Sequence, residues 1–291
     1  MTTARTVPFA RLRKLRDRRF RRAPSLRVRS ARAALAFVND VGICSTFFRF
    51  PEGLPCLWEA VVGRPNPRWP RRSHHDHGVG LTWELKDQLP AARGVYYGKL
   101  LKGRPVLVAL DLFPAFYALV RGSQRSRDYP AEYHAGRLSH TAKRIMDALR
   151  RDHPQYTRGL RADCLMLEPA KTREFERAIA ELQQGLWIVK TEERYEPTFS
   201  YRWDLLEAWL PEPVAEGRGM KREQAVEAVL ARYARAAVFT TPSLMARLFS
   251  LGRREVDCAV EFLVRRGALL ADQRIDGRVG CFLLHPDAVR R

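Results

Sequence analysis

The chain has few of the features that would narrow its class through covalent or membrane chemistry. Five cysteines are spread along 291 residues, at Cys44, Cys56, Cys164, Cys258 and Cys281, and no two form a Cys-x-x-Cys pair. That spacing argues against a zinc ribbon and a disulfide framework, and it suits a reducing cytoplasm. No apolar run approaches the roughly 18–20 residues that cross a bilayer, so a soluble protein without a membrane partner is expected. Acid is scarce at the start. Within residues 1–32, Asp17 is the sole carboxylate among many arginines. No apolar segment follows, which excludes a secretory signal. A basic arm lying along phosphates, an organellar transit peptide and a start codon placed too early all share this composition.

What the chain has in excess is positive charge. The formal net charge is +20, with arginine well ahead of lysine. Such a surface attracts a polyanion strongly and in a salt-dependent way. An arginine-rich codon bias would inflate the total, but the charge also clusters locally. The apolar fraction is that of an ordinary globular protein, and the length allows two or three small domains, each with its own core.

One arrangement occurs twice, and the second copy (residues 220–285) is the clearer. Val256, Val260 and Leu263 fall at helical spacing within a basic stretch that begins at Arg253 and Arg254, and Gly267 ends it. Strands at 268–270 and 279–284 then flank a polar turn. A helix over 221–236 and another over 241–249, with Thr240 or Thr241 as cap and Pro242 in its first turn, complete a winged helix-turn-helix. Residues 138–210 read the same way: Ser139 caps a helix over 141–151, a second helix spans 154–164, and a third spans 171–184. Strands at 186–190 and 198–203 form its wing. Residues 211–219 read as a plain linker. The two copies share a pattern but not a sequence, so this is no solenoid. Residues 1–25 read as a flexible basic arm. Residues 26–121 form a mixed unit with a helix over 26–39, a short helix over 54–62, a Pro/Arg loop, and a hairpin pairing 95–101 with 106–110. The expected fold is therefore mainly α with small β-hairpin wings, built from tandem winged helices.

A winged helix places its third helix in the major groove and its wing on phosphates. That makes Lys171, Arg173, Arg177, Arg253 and Arg254 the candidate contacts, together with Lys99, Lys102 and Arg104 at the first hairpin's tip. Each phosphate contact adds about 0.9 to the log–log salt slope. A solvated helix face is the plainer alternative, because Glu174, Glu176 and Glu181 sit among these basic residues. The densest polar cluster is Ser73-His74-His75-Asp76-His77-Gly78. Adjacent imidazoles on a loop splay apart, so no metal and no cofactor are expected, and His74 and His75 are candidates for phosphate or base contact. Asp87 and Glu84 are carboxylate candidates, with pairing to Lys86 or Arg93 as the structural alternative. Trp83, Tyr96 and Tyr97 could stack on a base or fill the core.

Several segments together resemble a known family. They are Val41-Gly42-Ile43-Cys44, Leu57-Trp58-Glu59-Ala60-Val61-Val62-Gly63-Arg64, Leu81-Thr82-Trp83-Glu84-Leu85-Lys86-Asp87-Gln88-Leu89-Pro90, Tyr97-Gly98-Lys99-Leu100-Leu101 and Leu110-Asp111-Leu112-Phe113-Pro114-Ala115-Phe116-Tyr117-Ala118. With the two C-terminal units, they resemble the AlkZ/YcaQ-like family of bacterial DNA glycosylases, and its AlkZ-related branch most closely. The resemblance implies three winged helices around duplex DNA, the first at 26–121, in a monomeric cytoplasmic protein of the bacterial nucleoid that excises alkylated or crosslinked bases. It also implies a β-barrel domain, for which this chain looks too short.

At one point the sequence departs from the pattern. Active members carry Gln-x-Gln or Gln-x-Asp after a Val-Gly-Leu-like segment, where this chain has Cys44-Ser45-Thr46. Breaking an N-glycosidic bond develops positive charge on the sugar while a water is held at C1′, a task for an amide or carboxylate. A neutral Cys44 thiol is a weak partner, and Thr46 can orient a water but accepts no proton. Cys44, Thr46, Asp87 and Asp76 are the catalytic candidates. A non-enzymatic winged-helix DNA-binding regulator is the rival expectation.

Overall fold

The computed structural model describes residues 6–122 and 128–290. Its first helix is α1 (Phe9–Arg19). A first unit follows: α2 (Ala31–Val41), β1 (Ile43–Ser45), α3 (Leu57–Val62), α4 (His77–Ala91), then a hairpin of β2 (Val95–Leu101) and β3 (Arg104–Ala109). Helices α5 (Phe113–Arg121) and α6 (Tyr129–His134) lead to a second unit. This contains α7 (His140–Arg151), β4 (Gln155–Tyr156), α8 (Thr157–Asp163), α9 (Thr172–Gln184), β5 (Ile188–Arg194) and β6 (Ser200–Leu205). After α10 (Leu206–Trp209) and α11 (Pro211–Gly219) comes the third: α12 (Arg222–Ala237), β7 (Phe239–Thr240), α13 (Pro242–Phe249), α14 (Arg253–Arg265), β8 (Leu270–Gln273) and β9 (Phe282–Leu284). The fold is thus largely helical with three small antiparallel sheets, ordered β1-β3-β2, β4-β6-β5 and β7-β9-β8.

Local chemistry accounts for the element ends. Ser30, Ser139 and Thr241 each accept a hydrogen bond from a backbone N–H in the first turn of α2, α7 and α13, satisfying donors that a helix leaves free. Gly42 ends α2 at φ 79°, a conformation that turns the chain directly into β1 and that a side chain would strain. Val256, Ala259, Val260 and Leu263 give α14 its buried stripe, and Phe175, Ala178, Ile179 and Leu182 do the same for α9.

Helix α5 lies at the centre. Phe113 is fully buried and stacks on Tyr96 at 4.5 Å, and one apolar core joins α5 to the first sheet, α11, α12 and α14. The second unit has a core of its own around Ile145, Leu149, Leu182 and Trp203.

Two expectations are corrected here. Residues 211–219 are not a linker but helix α11, with Pro211 in its first turn, where the missing N–H costs nothing. It presses on α5 so closely that a Cβ at Gly217 would lie 2.8 Å from the Pro114 carbonyl oxygen.

The N-terminal arm is not free either, apart from residues 1–5, which lie outside the described residues. Leu12 is fully buried against Val238, Ile275, Leu284 and Ala288 of the third unit. Arg16 donates at 2.6 Å to the carbonyl of Ala237, which ends α12 and has no helical partner, and at 2.6 Å to that of Phe239 in β7. Arg19 pairs with Asp287 at 2.6 Å, and Arg22 donates to buried Glu59 on α3 at 2.8 Å. These arginines bind carbonyls and carboxylates of the protein itself.

Candidate functional site

Trp83, Lys86 and Asp87 stand at i, i+3 and i+4 on α4 and therefore share one face. That face meets the β5–β6 hairpin of the second unit. Lys86 Nζ donates to Asp87 Oδ1 at 2.5 Å and to Glu193 Oε1 at 2.9 Å, and Lys190 of β5 pairs with the same Glu193 oxygen. The Tyr195 hydroxyl accepts from Trp83 Nε1 at 2.9 Å. It has one proton for two carboxylate oxygens, Asp87 Oδ2 at 2.8 Å and Glu193 Oε2 at 3.0 Å. Buried charges persist when paired in this way. Two carboxylates competing for one proton leave acceptor capacity for a further donor or a developing cation.

Aromatic rings surround the charges. Lys86 Nζ lies 4.6 Å from the Trp83 ring centre, and Lys190 Nζ lies 4.7 Å from Tyr97 and 5.0 Å from Tyr201. Burial works against the charged form of both lysines. It pulls the Lys86 ammonium below its ordinary value despite Asp87, and it pulls Lys190 down to about 7, with the Lys86 charge adding to the effect. Burial and the bond to Asp87 push the Tyr195 phenol up to about 12.

Beside this network a cavity of about 620 Å³ opens between the first and second units. Tyr97, Phe175, Phe199, Tyr201 and Trp203 supply its aromatic wall, and Ala180 and Gln183 of α9 line it together with Gly98, Lys99 and Pro105 of the first hairpin. Its size and its mix of apolar wall with a few polar groups suit an organic ligand. From Trp83 an aromatic cluster continues over the surface through Phe47, at 5.4 Å, to Trp69, which is 54% exposed.

Of the expected catalytic residues, Asp87 lies in this network. Thr46 is buried in the first unit, outside the network. The remaining two have structural placements. Cys44 is wholly buried in the first unit's core, and desolvation pushes its thiol well above the ordinary range, so it is neither a thiolate nor a water ligand. Neighbouring Ser45 is buried as well, its hydroxyl donating to the Pro55 carbonyl at 3.2 Å. Asp76 caps α4 by accepting from the Val79 N–H at 2.8 Å. Before it, His74 and His75 lie exposed on a single 3-10 turn, and among the described residues no three His, Cys, Asp or Glu converge to hold a metal ion.

The basic candidates divide likewise. Lys99 lines the cavity, and Arg104 packs 4.6 Å over the Phe48 ring. Lys102 is paired at 2.6 Å with Glu52, a buried carboxylate that also accepts from Arg247 at 3.0 Å; these bonds outweigh burial and hold the Glu52 carboxyl below its ordinary range. Lys171 is taken up by Glu168 and the Leu165 carbonyl, and Arg253 by both oxygens of Asp257. Arg173, Arg177 and Arg254 are exposed.

Sequence reasoning missed Lys190, Glu193 and Tyr195. One signal was available: a phosphate-binding wing should be basic, yet this one carries Glu192, Glu193 and Glu196.

Residues 28–250 match the AlkZ-related family, and the chain belongs to that family. The structure is similar to that of the Streptomyces sahachiroi DNA glycosylase AlkZ, with a TM-score of 0.58 and 12% identity over 97% of this chain and 71% of that one. At that identity the likeness is one of fold. No curated protein matches the sequence.

Proposed function

We propose that the protein is a monomeric DNA-repair glycosylase of the bacterial nucleoid, which binds duplex DNA and turns an alkylated or crosslinked base into the cleft between its first two units. The observation that carries this reading is the Asp87–Tyr195–Glu193 network, which meets through Glu193 an aromatic cavity roomy enough to admit a base. Every base has a π-face, and rings such as Tyr97, Phe199 and Tyr201 stack on it without regard to sequence. Family membership adds support, as does the fold likeness to a protein that is itself a DNA glycosylase.

In this reading the base leaves as the sugar gains oxocarbenium character. Asp87 presents negative charge to C1′ and takes the proton of the attacking water. Lys86 and Tyr195 hold the carboxylate in position. An alkylated purine is already cationic, so little is asked of a general acid. Asp87 thus takes the part that the resemblance assigns to the glutamine motif, whose place in this chain holds the buried Cys44 and Ser45.

That same burial favours a second reading, a non-enzymatic regulator. Incubating the protein with duplex containing 7-methylguanine separates the two. The expected outcome is released base and an abasic site, with the rate falling about 10²-fold in Asp87→Asn and holding in Cys44→Ala. Tighter binding to one undamaged sequence, without release, would favour the regulator.

A further inference from the structure

Lys190 has no part in the mechanism above, yet it occupies the most chemically unusual position in the cleft. Its stem rises from β5, and its amine lies between two tyrosine rings, with the side chain 12% exposed and lining the cavity wall. The groups facing it are Lys86 and Asp87 from α4, Tyr97 from β2, Tyr201 from β6, and Glu193 on its own strand. Desolvation between aromatic rings and a second cation at Lys86 favour a neutral, nucleophilic amine, with Glu193 placed to take its proton, and such amines condense with carbonyl carbon.

We infer that Lys190 attacks the aldehyde of an abasic deoxyribose in this cleft and forms an imine with it. The inference rests on the base-excision reading, because that reaction leaves the sugar whose open form carries an aldehyde at C1′. The amine lone pair forms the N–C1′ bond while the carbonyl π pair moves to oxygen. A proton passes from nitrogen to that oxygen, with Glu193 in hydrogen-bond contact with the amine to carry it, giving a carbinolamine. Protonation of the hydroxyl and loss of water leave the protonated imine. A carboxylate then removes a C2′ proton, the C–H pair forms the C2′–C3′ double bond, and the 3′ phosphate departs with the C3′–O pair. Hydrolysis of the imine returns the free amine. Burial and the Lys86 charge draw the Lys190 ammonium down towards the neutral amine, against the pull of the Glu193 carboxylate that it touches.

The test uses full-length protein and a duplex whose single deoxyuracil has been converted to an abasic site beforehand, so that it does not depend on base release. Sodium borohydride traps an imine as a stable secondary amine. A covalent protein–DNA adduct mapping to Lys190 is expected, its yield rising as pH passes upward through about 7 because only the neutral amine attacks. Lys190→Met and Lys190→Arg should each lower the yield about tenfold or more. The arginine variant keeps the charge and should still bind the abasic duplex, which separates lost chemistry from lost folding. Binding without an adduct, or an adduct undiminished in Lys190→Arg, overturns the inference and leaves base excision standing. Failure of the wild type to bind the abasic duplex overturns both.

Discussion

Asp87 and Glu193 approach the same tyrosine proton from different units, and neither has a replacement in the network that joins them. Lys86 pairs with both and Lys190 with Glu193, and these contacts keep two carboxylates together in a largely buried place. The contrast with Cys44 is one of surroundings. A buried thiol without a cationic neighbour stays protonated and inert. Thiol titration of the native protein should therefore label the exposed Cys258 and Cys281 quickly, and leave Cys44, Cys56 and Cys164 unlabelled until the chain unfolds. Rapid native labelling of Cys44 would contradict its placement in the core.

At the scale of elements, α1 and the third unit form one packed surface. Truncating a fully buried leucine there creates a cavity, so Leu12→Ala should cost about 2–5 kcal/mol. Urea unfolding measures this, and a cost near zero would mean that the arm is detached in solution. How much of the fold was legible follows the range of the interactions. Helices α7 and α13 could be read because Ser139 and Thr241 cap them locally, and α14 because its apolar residues keep one period, whereas α2 was expected from residue 26 and begins at Ala31, after the Ser30 cap. Helix α11 could not be read, since Pro211 and Pro213 suggest a turn and its partner α5 lies nearly a hundred residues earlier. Among its arginines, α1 keeps one fully buried leucine, and its order depends on carbonyls at the end of α12. The site was legible on one side alone. Asp87 could be named from the sequence, but Lys86 and Glu193 are 107 residues apart, and no local pattern joins them.

Across the whole molecule, the net charge of +20 overstates the surface free to meet a polyanion, because Arg16, Arg19, Arg22, Lys102 and Arg253 hold partners within the protein. Arg173, Arg177 and Arg254 are exposed. If they meet phosphates, replacing Arg173 and Arg177 by glutamine should lower the log–log salt slope of duplex binding by about 0.9 each, and weaken all sequences alike. Salt-titrated fluorescence anisotropy measures the slope, and an unchanged slope would remove α9 from the DNA-facing surface.

The cleft itself is tested most directly by filling it. Ala180 lines the cavity without belonging to the charged network. With 7-methylguanine duplex as substrate, Ala180→Trp is predicted to bind DNA as the wild type does and to release no base. Base release at the wild-type rate from this variant would contradict the account.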